Sequence, residues 1–326
     1  MQFRSVVIVV FEQVQGLDVF GPADVFYFAN YVAQQAGEKE PAYAVELAAS
    51  SPGPVATASG PAIHATRTLS DPSLRPDVLL VAGGLKVLDA VADARLVEDL
   101  EALVVRSGEV GSICTGAALL AEAGVLDGRR ATTHWALADQ LAQCHPEVEV
   151  DAERIYIQDG IWTSAGVCAG IDLALELVRT HHGAAMAADV ARHMVVYLQR
   201  GGGQHQLSTH LAAQRSNHRS IADLMALIAD NPEVDLSVPA LAAQVNMSER
   251  SFHRLFTAEV GISPGRYVER ARVDAARSLL EHTSENVATI ARRCGFRTPE
   301  TFMRSFKRAV GVSPTEFRSR VARSHR

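Results

Sequence analysis

The sequence predicts a mostly parallel α/β sandwich, with helices on both faces, joined to an all-α domain that carries two helix-turn-helix motifs. Three observations carry that prediction. Strand-like and helix-like stretches alternate up to about residue 195, a glycine-bearing polar segment follows, and the last hundred residues write one helical text twice. On this reading residues 1–197 form the first domain, 198–220 a linker and 221–326 the second domain.

At 326 residues the chain is long enough for two domains. Its net charge of -6 hides a split. From Leu236 onward there are 16 Lys and Arg against 8 Asp and Glu, a balance of +8, whereas the preceding 235 residues hold 15 against 29, a balance of -14. A basic module attached to an acidic one confines attraction for a DNA duplex to one end. No apolar run approaches the ~18 residues needed to cross a bilayer. The opening Val6–Phe11 run has one basic residue ahead of it and no small-residue cleavage site, so it reads as a buried strand of a cytoplasmic protein with no membrane partner. Cys114, Cys144, Cys168 and Cys294 are widely spaced, which argues against a disulfide framework.

In the first domain, Val6–Phe11, Val78–Val81 and Val110–Ile113 read as strands buried on both faces. Pro22–Gln35, Ala117–Ala123 and Ile171–His181 read as the helices between them. Glu109–Gly124 runs from a strand straight into a helix and places Cys114 on the turn, beside the amides of Thr115 and Gly116. A thiol at a helix N-terminus is expected to have a lowered pKa. The Val81–Gly84 loop would bring the amides of Gly83 and Gly84 to the same place, able to bind a carboxylate or stabilise an oxyanion. The alternative is a small buried cysteine on a tight turn, and local sequence leaves both open. Trp135 and Trp162 read as core, and Cys168 as closely packed in its Gly/Ala-rich context. His181, His182 and His193 lack a recognised ligand spacing, so no metal and no cofactor is expected.

After Tyr197 come three successive glycines among polar residues, the mark of a connecting segment. The repeat follows. Residues 248–267 align without a gap with residues 298–317, and seven of the twenty positions are identical, from Phe252/Phe302 to Pro264/Pro314. Ser248 and Thr298 are suitable N-caps, Phe252, Leu255 and Phe256 fall on an inner face, as do Phe302 and Phe306, and Gly261 and Gly311 close the units. This leaves Arg250, His253, Arg254 and Thr257 outward in the first copy, and Glu300, Thr301, Met303, Arg304 and Lys307 in the second. The connector Arg266–Leu280 would span roughly 25 Å as a helix, against about 34 Å between successive major-groove segments. A solvated amphipathic surface would share the arginines but not the repeated cap, stripe and stop. The text points to two reading heads on one duplex.

Residues 236–318 resemble the AraC/XylS family of transcription regulators, down to the connector text Ser-Pro-x-x-Tyr…Arg-Val-x-x-Ala-Arg-x-Leu-Leu. The resemblance implies that base-reading positions fall on Arg250, His253 and Arg254 in the first recognition helix and on Glu300, Thr301 and Arg304 in the second. Arginine can pair with guanine O6 and N7, and a glutamate can accept from cytosine N4. Arg297, Thr298 and Lys307 are placed to contact phosphates, and Arg270, Arg272 and Arg277 to lie on the connector's surface or on phosphates. The first helix, richer in arginine, is expected to dominate specificity.

Four motifs of the first domain are similar to the PfpI/ThiJ superfamily, which has a class I glutamine amidotransferase-like, flavodoxin-like fold. They are Gly16–Pro22, Cys114-Thr115-Gly116, Gly128–Trp135 and Thr163–Asp172. Joined to the second domain they give the GlxA-type architecture of AraC-family regulators. The resemblance implies a homodimer paired through the first domain, RNA polymerase as a partner if the protein activates, and a place at the nucleoid. It also implies a small polar effector, as in relatives that sense arginine, carnitine or betaine-like compounds, held near Asp18, Gly83, Gly84, Cys114 and Thr115. His134 sits in a motif shared with non-enzymatic relatives and reads as structural or pocket-lining. The histidine that follows the cysteine in the superfamily's proteases is Thr115 here, which argues against peptidase action. The set Asp18, Cys114 and Thr115 resembles isocyanide hydratase, so a thiol-dependent hydratase or amidase tethered to DNA stays open, as does redox sensing by Cys114.

Overall fold

The computed structural model describes residues 2–196, 199–202, 206 and 219–324. The chain forms two compact units, Met1–Gln206 and Leu207–Arg326.

The first unit opens with β1 (Arg4–Val9), α1 (Gly16–Gln35), β2 (Tyr43–Ala49), the hairpin β3 (Gly53–Ala56) and β4 (Ala62–Ala65), β5 (Arg67–Thr68) and β6 (Val78–Val81). It continues with α2 (Val87–Val91), α3 (Ala94–Val105), β7 (Glu109–Ile113), α4 (Ala117–Glu122), β8 (Arg130–Ala131), α5 (Ala138–Cys144) and β9 (Glu149–Val150). The last elements are β10 (Tyr156–Asp159), β11 (Ile161–Ser164), α6 (Cys168–His182) and α7 (Ala184–His193). Among the described residues seven strands form one sheet in the order β10-β11-β7-β6-β1-β2-β5, parallel throughout except for the β10–β11 edge hairpin. Alternation along β1 explains its unbroken apolar text. Val6 and Ile8 join a core with Phe26, Leu173 and Val178 on one face, while Val7 and Val9 join Leu79, Leu100 and Leu119 on the other.

Two local expectations fail for physical reasons. Helix α1 starts at Gly16, six residues before Pro22, and runs through that proline. Burial of Val19, Val25, Phe26 and Ala29 outweighs the one amide bond that proline removes. Trp135, expected in the core, is 46% exposed in the segment before α5, whereas Trp162 is buried and donates to Glu109 Oε2 at 3.1 Å. Part of the segment read as linker is bound to the first unit. Arg200 pairs with the buried Asp172 at 2.7 Å, Gly202 O accepts from Ile155 N, and the Gln206 amide lies against Thr133 O at 2.7 Å and Trp135 N at 3.0 Å. Among the described residues no helix is long and apolar enough to cross a membrane.

The second unit contains α8 (Arg219–Asp230), α9 (Val238–Gln244), α10 (Glu249–Val260), α11 (Pro264–His282), α12 (Val287–Arg293), α13 (Pro299–Val310) and α14 (Pro314–Ser324). The pairs α9–α10 and α12–α13 are the two helix-turn-helix copies. Each helix of the pairs is capped by a side chain. Ser237 accepts from Ala240 N, Ser248 from Ser251 N, Asn286 from Thr289 N and Thr298 from Thr301 N, at 2.8–3.4 Å. The corner inside each copy needs a left-handed residue, which is Asn246 (φ 54°) in the first and Gly295 (φ 75°) in the second. The aromatic packing repeats almost to the degree. Phe256–Tyr267 and Phe306–Phe317 both have centroids 5.5 Å apart at 71°.

Each copy has its own core, and α11 serves both. Its first half gives Tyr267, Val268 and Ala271 to a cluster with Ile221, Leu241, Phe252 and Phe256. Its second half gives Val273, Ala276 and Leu280 to a cluster with Ile290, Phe296, Phe302 and Phe306. At 19 residues α11 is about 28 Å long.

Candidate functional site

The recognition helices α10 and α13 stand on their phenylalanines and turn their polar faces to solvent. Arg250, His253 and Arg254 are exposed, as are Arg297, Thr298, Glu300, Met303, Arg304 and Lys307. This follows from helical spacing, because burying Phe252 and Phe256, or Phe302 and Phe306, sends the residues one and two positions after Phe252 and Phe302 outward. Thr301 departs from the expectation. It is half-buried, its amide donates to Thr298 Oγ1 at 3.2 Å and its hydroxyl lies 3.1 Å from the same oxygen, so the cap occupies it. Thr257, expected outward, is likewise half-buried. Two connector arginines also differ from expectation. Arg277 is only 7% exposed and lies over the Phe317 ring, 5.6 Å from its centroid. Arg272 is half-buried and donates to Pro232 O and Val234 O. Both hold the unit together.

The cysteine elbow is assembled by close backbone approach. Cys114 follows β7 with φ 58°, a conformation costly for a residue with a Cβ, and opens the single 3-10 turn that leads into α4. Three glycines make room for it. A Cβ on Gly83 would lie 2.7 Å from Cys114 Cβ, one on Gly166 2.0 Å from it, and one on Gly116 2.2 Å from Val81 O. Thr115 Oγ1 donates to Gly84 O and accepts from Gly84 N, each at 2.9 Å, and Thr133 Oγ1 donates to Cys114 O. The Gly84 amide expected to greet a ligand is therefore held by Thr115.

Asp18, on the first turn of α1, is fully buried beside the thiol. Its Oδ1 accepts from Val167 N at 2.6 Å; among the described residues its Oδ2 has no partner of good geometry, although the Cys114 thiol and the Gly83 amide lie close to the carboxylate. Burial pushes its pKa up to about 6, against the opposing pull of the Val167 amide, the Cys114 thiol and the Gly83 amide. The Cys114 thiol is pushed well above its ordinary value, first by burial and then by the negative charge of Asp18. That reverses the lowered pKa expected from sequence. The helix behind the elbow, α4, is only six residues long, so its dipole is weak, and just the Thr115 groups favour the thiolate. His134 is half-buried and its pKa is lowered by burial, and its Nδ1 accepts from Ala136 N. Cys168, expected in close packing, is exposed at the start of α6.

Sequence reading missed Val167, the residue that ties α6 to Asp18. It too has a positive φ of 51°, and the Ala-Gly-Val-Cys text at 165–168 was the available signal. Among the described residues no group of three or more His, Cys, Asp and Glu is placed to hold a metal. His181 is engaged by Tyr43 Oη at 2.8 Å and Glu109 Oε1 at 2.7 Å.

The DJ-1/PfpI family model matches residues 4–180, and a helix-turn-helix domain model matches residues 241–320. The HTH-type transcriptional regulator CdhR of Pseudomonas aeruginosa is 33% identical over 267 residues, 82% of this chain and 79% of that protein. The HTH-type transcriptional regulator GlxA of Rhizobium meliloti is 28% identical over 289 residues, 86% of each chain. An isonitrile hydratase of Pseudomonas putida is 34% identical over 171 residues, 52% of this chain and 68% of the enzyme. Among solved structures, a ThiJ/PfpI family protein from Pseudomonas syringae superposes with a TM-score of 0.53 at 25% identity, covering 61% of this chain and 78% of its own. The chain therefore belongs to the DJ-1/PfpI family and joins that flavodoxin-like domain to an AraC-type helix-turn-helix domain. It is a DNA-binding transcriptional regulator of the kind to which CdhR and GlxA are assigned.

Proposed function

We propose that the first unit senses a small polar metabolite at the elbow and that the second reads an operator with both recognition helices. Arg250, His253 and Arg254 contact bases from α10, Glu300 and Arg304 do so from α13 with Thr301 held in the cap, and Arg297, Thr298 and Lys307 hold phosphates. The observation that carries the DNA reading is the exposed cationic face of α10, fixed by a capped helix over Phe252 and Phe256. Substituting Arg254→Ala should cost about 1–3 kcal/mol of specific binding. A mobility-shift titration with undiminished affinity would overturn that assignment.

Support for sensing comes from Asp18. A buried carboxylate oxygen that no described residue engages with good geometry, next to a thiol, suits a ligand that brings its own N–H or O–H donor. Binding would shift the protein between two states of different DNA affinity. Pairing of two chains through the first unit is supported by Phe20, Tyr27 and Tyr31, exposed at helical spacing along α1. Where the protein activates, RNA polymerase is the further partner, and the site of action is the cytoplasm, at the nucleoid.

A second reading rests on the Asp18, Cys114 and Thr115 set and on the isonitrile hydratase relative, namely a thiol-dependent hydratase attached to DNA. Turnover assays of the full chain and of Cys114→Ser separate the two. Loss of a ligand response with no turnover in either protein supports sensing, and thiol-dependent turnover supports the enzyme. Redox sensing is disfavoured by the buried, upshifted thiol, since oxidation begins at the thiolate.

A further inference from the structure

The two reading heads share α11, yet they are tied to it differently. In the first head the recognition helix closes with Leu255, half-buried in the apolar cluster. The matching position in the second head is Ser305, and it is buried. Its hydroxyl donates to Glu269 Oε1, and Arg308, one turn further along α13, donates to the same oxygen. Glu269 lies between Val268 and Ala271, on the half of α11 that belongs to the first head's core. It therefore joins one head's core to the other head's recognition helix.

A second link runs beside it. Arg272, three residues on, donates to Pro232 O and Val234 O in the first head's α8–α9 loop. The corner glycine of the second head, Gly295, sits so close that a Cβ there would come within 2.3 Å of Pro232 O and 2.9 Å of Arg272 Nε. The heads meet in close contact on one side of α11 and through a charged, hydrogen-bonded group at Glu269.

We infer that Glu269, through Ser305 and Arg308, is a positioning residue that fixes the angle between the two recognition helices and thereby sets the half-site spacing the protein accepts. In the first head the same position is filled by the apolar Leu255, which packs without a directional bond. A buried hydroxyl aimed at a carboxylate differs in being directional. It holds α13 at one rotation about its axis, where apolar packing would tolerate several. Inserting one base pair between half-sites moves the second groove by about 3.4 Å and turns it by roughly a tenth of a helical turn. A rigid pair of heads cannot follow that change, and a loosened pair can.

The inference rests on the proposal that both helices read DNA, and the test keeps the two apart. The full chain is given a site selected from random-sequence duplexes, and then the same site with one or two base pairs inserted between its halves. The wild-type protein should lose about tenfold or more in affinity for each insertion, the size of a mismatched base pair. Glu269→Ala and Ser305→Ala should each reduce that penalty to threefold or less. Glu269→Gln, which keeps an acceptor for Ser305, should retain most of it. An unchanged penalty in the alanine variants overturns the inference, as does an equal loss on every spacing, which would mark a contribution to stability alone. Undiminished binding by both Arg254→Ala and Arg304→Ala would instead remove the two-head reading, and the inference with it.

Discussion

The elbow of the first unit and the helix stops of the second both depend on glycine, for opposite reasons. Gly261 and Gly311 have open space where a Cβ would sit, and they are needed only for their φ of 80° and 87°. Gly83 and Gly116 have ordinary φ and no room at all. Gly166 meets both demands. One site is made by bringing backbones together, the other by projecting side chains away from a core. The first should resist almost any substitution, and the second should be rewritten residue by residue with little harm to the fold.

The largest expected effect tests that contrast directly. Gly116→Ala forces a methyl group against Val81 O and should destabilise the protein by about 3 kcal/mol or more. Gly261→Ala, strained but unobstructed, should cost about 1–2 kcal/mol. Denaturant unfolding of both variants measures the gap, and equal losses would break the comparison.

A similar magnitude is expected from Asp18, with a pH signature that no helix-turn-helix residue should share. The folded carboxyl titrates at about 6, against about 3.9 in an unfolded chain. Between those values the folded state binds the extra proton, so stability falls as pH rises from about 4 to about 6 and is level above, by about 3 kcal/mol in all. Asp18→Asn removes this fall. The stability of the variant relative to wild type should rise across that window and then plateau, and a flat difference would show that the carboxyl is not held in the environment described.

The smallest effects sharpen the comparison within the second unit. Ser248→Ala and Thr298→Ala each remove one cap bond and should each cost about 1 kcal/mol. Thermal melts of the two variants should agree closely, because the caps are equivalent. Each cap hydroxyl also meets the hydroxyl three residues on, Ser251 at 3.0 Å and Thr301 at 3.1 Å, so a large excess for Thr298→Ala would break the equivalence of the two copies.

Much of this molecule was readable before its structure. The β1 run, the caps at Ser248 and Thr298 and the stops at Gly261 and Gly311 are local features that leave local marks. The order of the four first-domain motifs carried the fold. What could not be read depends on partners far apart in the chain. The upshifted thiol of Cys114 reflects burial by Gly83 and Gly166 and the charge of Asp18, none of which is adjacent in sequence. Arg277 looks like a surface cation on a helical wheel and is buried where α14 brings Phe317 across it. The docking of Arg200 and Gln206 is equally non-local, resting on Asp172 and the 132–135 segment.

The connector helix has an evolutionary corollary. Although the text repeats every fifty residues, a cut at the repeat boundary, near Thr283, would leave Val273, Ala276 and Leu280 facing water with no second core to enter. The duplicated halves are thus inseparable as proteins even though they look interchangeable as sequences. A change that loosens either apolar cluster therefore acts on the one helix that both heads share.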